Sequence, residues 1–361
     1  MAEALKNWFD AARFSAIAEK FGEVSPAFDR KRFLSLTVTG LEPLALLARM
    51  RRGTEALRAA LPGDYLATLP ILRAVAPQIG HSFVGMMLPD FVGLYGREHP
   101  VESLDALKFL TRFSSSEFAV REFLRRDLRG TLRVMEGWAE DENEHVRRLA
   151  SEGSRPRLPW SFRLEELVAD PAPVAPILDR LRTDPSLYVR KSVANHLNDI
   201  SKDHPEWMLA RLRGWDRSDP HTAWIAKRAA RTLIKAGHPA ALRLFDFGAK
   251  PAVIMKEFTL ARRRVRLGAT LEFACRVEST SQRRQRLVID YVVHYVKGNG
   301  TTAPKVFKLT EVELAPSGSV ALRKRQVLRD FTTRKHHAGT HRVEIQVNGA
   351  ILGGADFTLT I

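Results

Sequence analysis

In the segment RRLASEGSRPRLPW (147–160), Glu152 follows Arg148 by four residues, a spacing that sets both side chains on one side of a helix before Gly153 breaks it. The proline-punctuated stretch that follows brings Arg155, Arg157 and Trp160 beside that helix end. Glu117 stands after the serine run 114–116, near the start of the helical block EFAVREFLRR, a place that also suits a capping carboxylate. Two acids and an indole among arginines suit one reaction, cleavage of the N-glycosidic bond of a cationic, alkylated base. Such a base is already a good leaving group; its departure builds positive charge on the sugar, which a carboxylate can stabilise while orienting water. An indole face attracts the cation. From spacing alone the plainer assignments stay open: Glu117 a helix cap, Glu152 an arginine's partner, Trp160 packing under a loop.

Charged residues recur at matching places in what read as repeated helices: Arg147 and Arg148, Arg190 and Lys191, Lys227 and Arg228, with Arg231 and Lys235 following. Lining one side of a stack of helices, they would form a basic trough for backbone phosphates. The alternative is a solvated face whose arginines pair with aspartates of the preceding turns. The whole chain favours a polyanion partner. Its 361 residues carry 57 Lys and Arg against 41 Asp and Glu, a net charge of +16. Residues 251–361 hold 19 basic and 9 acidic side chains, 19 − 9 = +10, so the last third carries most of the excess.

The elements that must position these groups change character once. Over 5–247 apolar residues recur at helical spacing, as in EPLALLARM, LDALKFLTRF and EFAVREFLRR. DPSLYVRKSVANHL (184–197), DPHTAWIAKRAARTL (219–233) and DENEHVRRLA (141–150) share one pattern, an acidic turn and then an amphipathic helix. Their matching positions Val146, Val189 and Ala226 lie 43 and 37 residues apart, the period of stacked helical pairs. After Pro251 the period becomes two: LEFACRV, RLVIDYVVHYV, KVFKLTEVEL, VALRKRQVL, THRVEIQV and FTLTI alternate with the turn signals KGNG, APSG and NG. The expected fold is mainly α, an α-solenoid of HEAT-like repeats over 1–248, followed by an immunoglobulin-like β-sandwich of six or seven strands over 251–361.

At these residues the chain resembles the HEAT-like-repeat DNA glycosylases of the AlkC/AlkD superfamily, specifically the AlkC branch. GLEPLALLARM, PDFVGLYG, FSSSEFAVR, RRLASEGSRPRLPW and VRKSVANHLNDISKDHP carry the resemblance, the fourth being the most specific. A basic immunoglobulin-like domain after the repeats is a feature of one AlkC subset. The resemblance implies excision of cationic bases such as 3-methyladenine, 3-methylcytosine and 1-methyladenine from duplex DNA, without metal or cofactor and without a base-flipping pocket. It also implies a DNA gripped by its backbone. Carried onto this chain, Glu117, Glu152 and Trp160 match the family's active-site positions. Arg148 and Asp199 match supporting polar positions. The β-domain arginines and the loop 297–300 with Lys297 are then expected to meet the duplex, in the minor groove.

Other classes fit less well. A HEAT array can be a non-catalytic nucleic-acid-binding scaffold, and that remains the alternative. The 11 histidines show no HExxH spacing for a metal hydrolase. A single cysteine, Cys275, excludes an internal disulfide. The most apolar stretch, 69–96, is interrupted by Arg73, Gln78, His81 and Asp90, and no secretory signal is visible. A monomer in the cytoplasm, associated with the nucleoid, is the expectation. No lysine is recognisable as a Schiff-base nucleophile, so base release without strand cleavage is expected.

Overall fold

The computed structural model describes residues 5–248, 250–331 and 334–361. Among these residues sixteen α-helices run from Ala11–Val24 to Pro239–Leu244, and eight strands follow. The chain forms two compact units: one reaches to His204 and includes Trp215–Ala229, the other joins Pro205–Gly214 to Ala230–Ile361. Among the described residues no helix is long and apolar enough to cross a membrane.

The first unit is an α-solenoid of HEAT-like repeats, and several of its helices start at short polar side chains that cap them. Asp10, Asp29, Asp64 and Asp127 each accept a backbone N–H three residues on, and Asn143 and Ser186 accept one two residues on. Helix Glu144–Gly153 buries Val146, Leu149 and Ala150; helix Leu187–Ile200 buries Val189, Val193, Ala194 and Leu197; helix Pro220–Ala229 buries Ile225, Ala226 and Ala229. These three pack in sequence, the middle one against both others. The repeats are also stapled by arginine. Arg147 reaches back to the carbonyls of Asp141 and Glu142, and Arg190, one repeat later, to those of Asp184 and Pro185. Arg147 joins neighbouring repeats as well, through a two-bond pair with the Asp184 carboxylate (2.6 and 3.1 Å).

The second unit holds a β-sandwich of immunoglobulin-like type. Its strands are β1 (Val253–Leu260), β2 (Arg264–Arg266), β3 (Thr270–Ser279), β4 (Gln285–Val296), β5 (Thr302–Leu314), β6 (Ser319–Val327), β7 (Gly339–Val347) and β8 (Ala350–Thr360). They form sheets of order β1-β3-β6 and β2-β8-β7-β4-β5. The core between the sheets is built by alternation: Leu271, Phe273, Cys275 and Val277 from β3 meet Leu287, Ile289, Tyr291 and Val293 from β4. Cys275 is buried there, and burial lifts its thiol to a pKa of about 11.

All six expected strands are present, and two more. β1 escapes a period-two reading because its register breaks between Lys256 and Thr259, with Glu257 in the left-handed region at φ 55°. β2 is three residues long and pairs parallel to β8. β4 does not alternate because residues 287–293 are buried on both faces, and the apolar run there is interrupted by Asp290 alone. Helical residues after Ala230 lie against the five-stranded sheet: Gln346 donates to the Lys235 carbonyl (2.7 Å), Lys235 to the Val306 carbonyl (3.2 Å) and Asn348 to the Gly248 carbonyl (2.7 Å).

Asp290 lies within this doubly covered strand, and neither of its carboxylate oxygens has a hydrogen-bond partner among the described residues. Burial raises its pKa to about 6, with Lys235 and Lys308 opposing and Glu311 adding. The folded protein therefore holds this proton more tightly than the unfolded chain. Stability contributed this way is complete below about pH 4, the ordinary carboxyl value, and is lost as pH rises towards 6. Asp290→Asn is expected to abolish that fall, so that denaturant unfolding measured across a pH series shows the variant gaining on the wild type between those limits and holding a constant advantage above them.

Candidate active site

Helix Glu144–Gly153 ends against helix Val120–Arg126 so closely that a Cβ on Gly153 would meet Val120 Cγ1 at 2.5 Å. The glycine permits the approach that brings the two carboxylates of interest together. Arg148 is their common partner. Its Nη1 contacts Glu117 Oε2, and its Nη2 lies 3.5 Å from Glu152 Oε1. Ser115 Oγ accepts from Arg148 Nη1 (2.8 Å) and donates to Glu117 Oε2 (2.8 Å). Glu117 occupies the turn before helix Val120–Arg126, and its carboxylate takes these side chains in place of a backbone cap.

Glu152 is 6% exposed. Beyond Arg148 it accepts from Arg155 Nη1 at Oε1 (2.6 Å) and from Ser192 Oγ at Oε2 (2.6 Å). Arg155 also pairs with Asp199 through Nε (2.8 Å) and Nη2 (2.6 Å), and Lys202 Nζ reaches the other Asp199 oxygen (2.9 Å). Glu117, Arg148, Glu152, Arg155, Asp199 and Lys202 thus alternate in sign along one connected row. Burial works against the charges of Arg148 and Arg155. The adjoining carboxylates outweigh it, and both guanidinium pKa values stand above the ordinary value.

Trp160 is 61% exposed, on backbone at φ 66°, a left-handed conformation that costs free energy for a bulky residue. Its ring stands edge-on to Phe83 (6.3 Å between centroids). With Phe118, Phe162, Asp90 and Glu122 it lines a cavity of about 210 Å³. Phe118 follows Glu117 directly, so this cavity adjoins the Glu117 segment; no hydrogen bond or ion pair joins Trp160 to either acid.

The other cationic positions divide by environment. Arg147 and Arg190 are the repeat staples described above, the arrangement that the sequence left open as the alternative to a trough. Arg157 makes a two-bond pair with Asp203 (2.8 and 2.7 Å). Lys191, the repeat equivalent of Arg148, is exposed. Arg228 lies with its guanidinium 5.4 Å from the Trp224 ring centroid, and Lys227 and Arg231 are half-buried. Lys297 begins an exposed turn closed by its N–H to the Thr301 carbonyl (2.8 Å). Among the described residues no group of three His, Cys, Asp or Glu side chains is placed to hold a metal ion.

Sequence spacing did not single out Arg121, Ser192 or Tyr188. Arg121 is fully buried and donates to the carbonyls of Gly153, Arg155 and Phe162, so one guanidinium pins both ends of the loop that carries Arg155, Arg157 and Trp160. Burial lowers its pKa to about 10, Arg155 contributing. Tyr188 has the Arg148 guanidinium 5.2 Å from its ring centroid. Carbonyl partners leave no mark in a sequence; Ser192 and Tyr188 lie in the recognisable repeat helix, where a side-chain-by-side-chain repeat alignment flags them.

Two family models match the chain: "DNA alkylation repair enzyme" over residues 110–233, and "Uncharacterised protein YhaZ, C-terminal Ig-like domain" over 254–361. The chain is 41% identical over 354 residues to "Uncharacterized protein YhaZ" of Bacillus subtilis (strain 168), covering 98% of each. It is 50% identical to the Pseudomonas fluorescens alkylpurine DNA glycosylase AlkC solved bound to DNA containing an abasic site analog, with a TM-score of 0.95 over 99% of this chain and 100% of that one.

Removing the Arg121 guanidinium leaves three carbonyls without their donor. Arg121→Met is expected to lower unfolding free energy by about 3 kcal/mol, as each buried unsatisfied acceptor costs about 1–3 kcal/mol and local relaxation recovers part. Denaturant midpoints measure this, and trypsin should cut faster after Arg157 in the loosened loop.

Proposed function

The chain belongs to the AlkC family of HEAT-like-repeat DNA glycosylases, and from that premise we propose that it removes cationic N-alkylated bases from duplex DNA by hydrolysis at the Glu117–Arg148–Glu152 cluster. The activity of a DNA glycosylase in alkylation repair goes with the family. The lesions in this reading are 3-methyladenine, 3-methylcytosine and 1-methyladenine, each carrying a positive charge on the base. The observation that carries it is the pair of carboxylates sharing one guanidinium, with an exposed indole on the loop that the same helix leads into.

The chemistry follows from charge. When the bond from C1′ to the base nitrogen breaks, its electron pair stays with the base, which leaves neutral, and positive charge moves to the sugar. A carboxylate beside C1′ lowers the energy of that state. Glu152, held by Arg148, Arg155 and Ser192, has its orientation set from three sides and serves to align water for addition at C1′ and to receive its proton. Glu117 is the second carboxylate, near the sugar or the lesion. Trp160, exposed and fixed by its backbone, offers a flat face to the sugar or cation. Asp199 acts through Arg155. Lys191, Lys227, Arg228, Arg231 and Lys297 are proposed phosphate contacts; Arg147, Arg155, Arg157 and Arg190 shape the surface around them through their pairs. The enzyme acts as a monomer, with no metal or cofactor, and leaves the strand uncut.

Incubating the protein with methylated duplex DNA and separating freed bases by chromatography tests the reading. Release is expected to continue in EDTA and to weaken steeply as salt rises, through loss of counterion release. Glu152→Gln should slow it by about 10²–10³-fold, the cost of removing one group that stabilises developing charge. Binding without release would favour the non-catalytic scaffold, and full turnover by the variant would move the chemistry elsewhere.

A further inference from the structure

Arg148 presents the two edges of its guanidinium to Glu117 and Glu152, which leaves its flat faces to be accounted for. The guanidinium carbon lies over the Tyr188 ring, 5.2 Å from its centroid. Tyr188 is the second residue of helix Leu187–Ile200 and is 40% exposed. Its ring does not stand alone. His145 meets it edge-on at 5.5 Å, His81 stacks on His145 at 4.9 Å with 24° between planes, and Phe113 stacks on His81 at 6.3 Å. His145 and Tyr188 are equivalent positions of consecutive repeats, each one residue before the buried Val146 and Val189. The repeat therefore places His145 beside Tyr188.

We propose that Tyr188 is a positioning residue: its ring, backed by His145 and His81, closes one face of the Arg148 guanidinium and holds it in register with both carboxylates. The proposal rests on the glycosylase reading above for its kinetic consequences, and on geometry alone for its structural one. A guanidinium bound only through its edges can rotate about its long stem, exchange one carboxylate for water and leave Glu117 or Glu152 misaligned. A ring on its face removes that freedom and adds attraction between the cation and the π system. Burial, the neighbouring His81 and Arg148 hold the His145 pKa below the ordinary imidazole value against Glu144, and burial holds the Tyr188 hydroxyl above its own. Lys191 shows the contrast. It occupies the place of Arg148 in the next repeat, is exposed, and meets no carboxylate among the described residues.

Three proteins test this: the wild type, Tyr188→Phe and Tyr188→Leu, each measured for the single-turnover rate of methylated-base release and for affinity to duplex containing an abasic-site analogue. Tyr188→Phe is expected within about twofold of the wild type in both, because the ring is kept. Tyr188→Leu is expected to lose about tenfold in rate, the scale of one cation–π contact, with affinity held within about twofold. A Tyr188→Leu rate equal to the wild type overturns the proposal; so does an equal loss in Tyr188→Phe, which would assign the effect to the hydroxyl, or a parallel loss of rate and affinity, which would mark a DNA contact. Should the wild type release no base, the glycosylase reading falls and the positioning role is decided by a crystal structure of Tyr188→Leu. There Arg148 is expected to release one of its two carboxylates, and retention of both contacts overturns it.

Discussion

Charges withdrawn from water must be matched, and the functional surface of this chain is organised by that constraint. Glu152 and Asp199 lie almost entirely inside the first unit, where an unpartnered carboxylate would cost several kcal/mol. Arg148 and Arg155 match them, and each of these cations in turn needs the acid on its other side. The result is a row in which no group can be removed without stranding a neighbour. Such a row is a poor source of stability, because the desolvation penalty offsets most of the attraction. Its value lies in direction: the carboxylate oxygens are aimed by partners on several helices at once, and little reorganisation remains to be done when a reaction builds charge nearby.

The same chemistry serves a different end one residue away. Arg147 and Arg190 recur with the repeat and are consumed in joining turns and neighbouring helices. Arg148 belongs to the following position, faces the acids, and has a lysine as its counterpart in the next repeat. Adjacent arginines in one helix therefore divide between holding the stack and equipping the site, a division set by which side of the helix each occupies.

How much was legible follows from which interactions leave a trace in local sequence. The acidic turn followed by a helix in 141–150 and 184–197, and the alternation in β3 and β7, are local rules, and they read correctly. The i,i+4 geometry of Arg148 and Glu152 is local too. β1 did not read because a bulge interrupts its period, and β2 because three residues carry no period. The spacing places Glu117 near the start of a helix, whereas the structure holds it in the turn before Val120, where Ser115 and Arg148 bind its carboxylate. Arg121 shows in the sequence only as a weak echo of the repeat, and its role does not read from there. Its partners are main-chain carbonyls more than thirty residues away, which any sequence there would supply. The left-handed backbone at Trp160 likewise has no local signature.

Cys275 has a practical corollary. The chain's one thiol is enclosed between two sheets and resists ionisation, so it is a poor nucleophile while the protein stays folded. A second cysteine engineered at an exposed position would accept a maleimide dye or a nitroxide alone, with no need to delete the native one. The molecule is thereby ready for fluorescence or spin-resonance distance work between its helical repeats and its sandwich, using labels whose attachment point is known in advance.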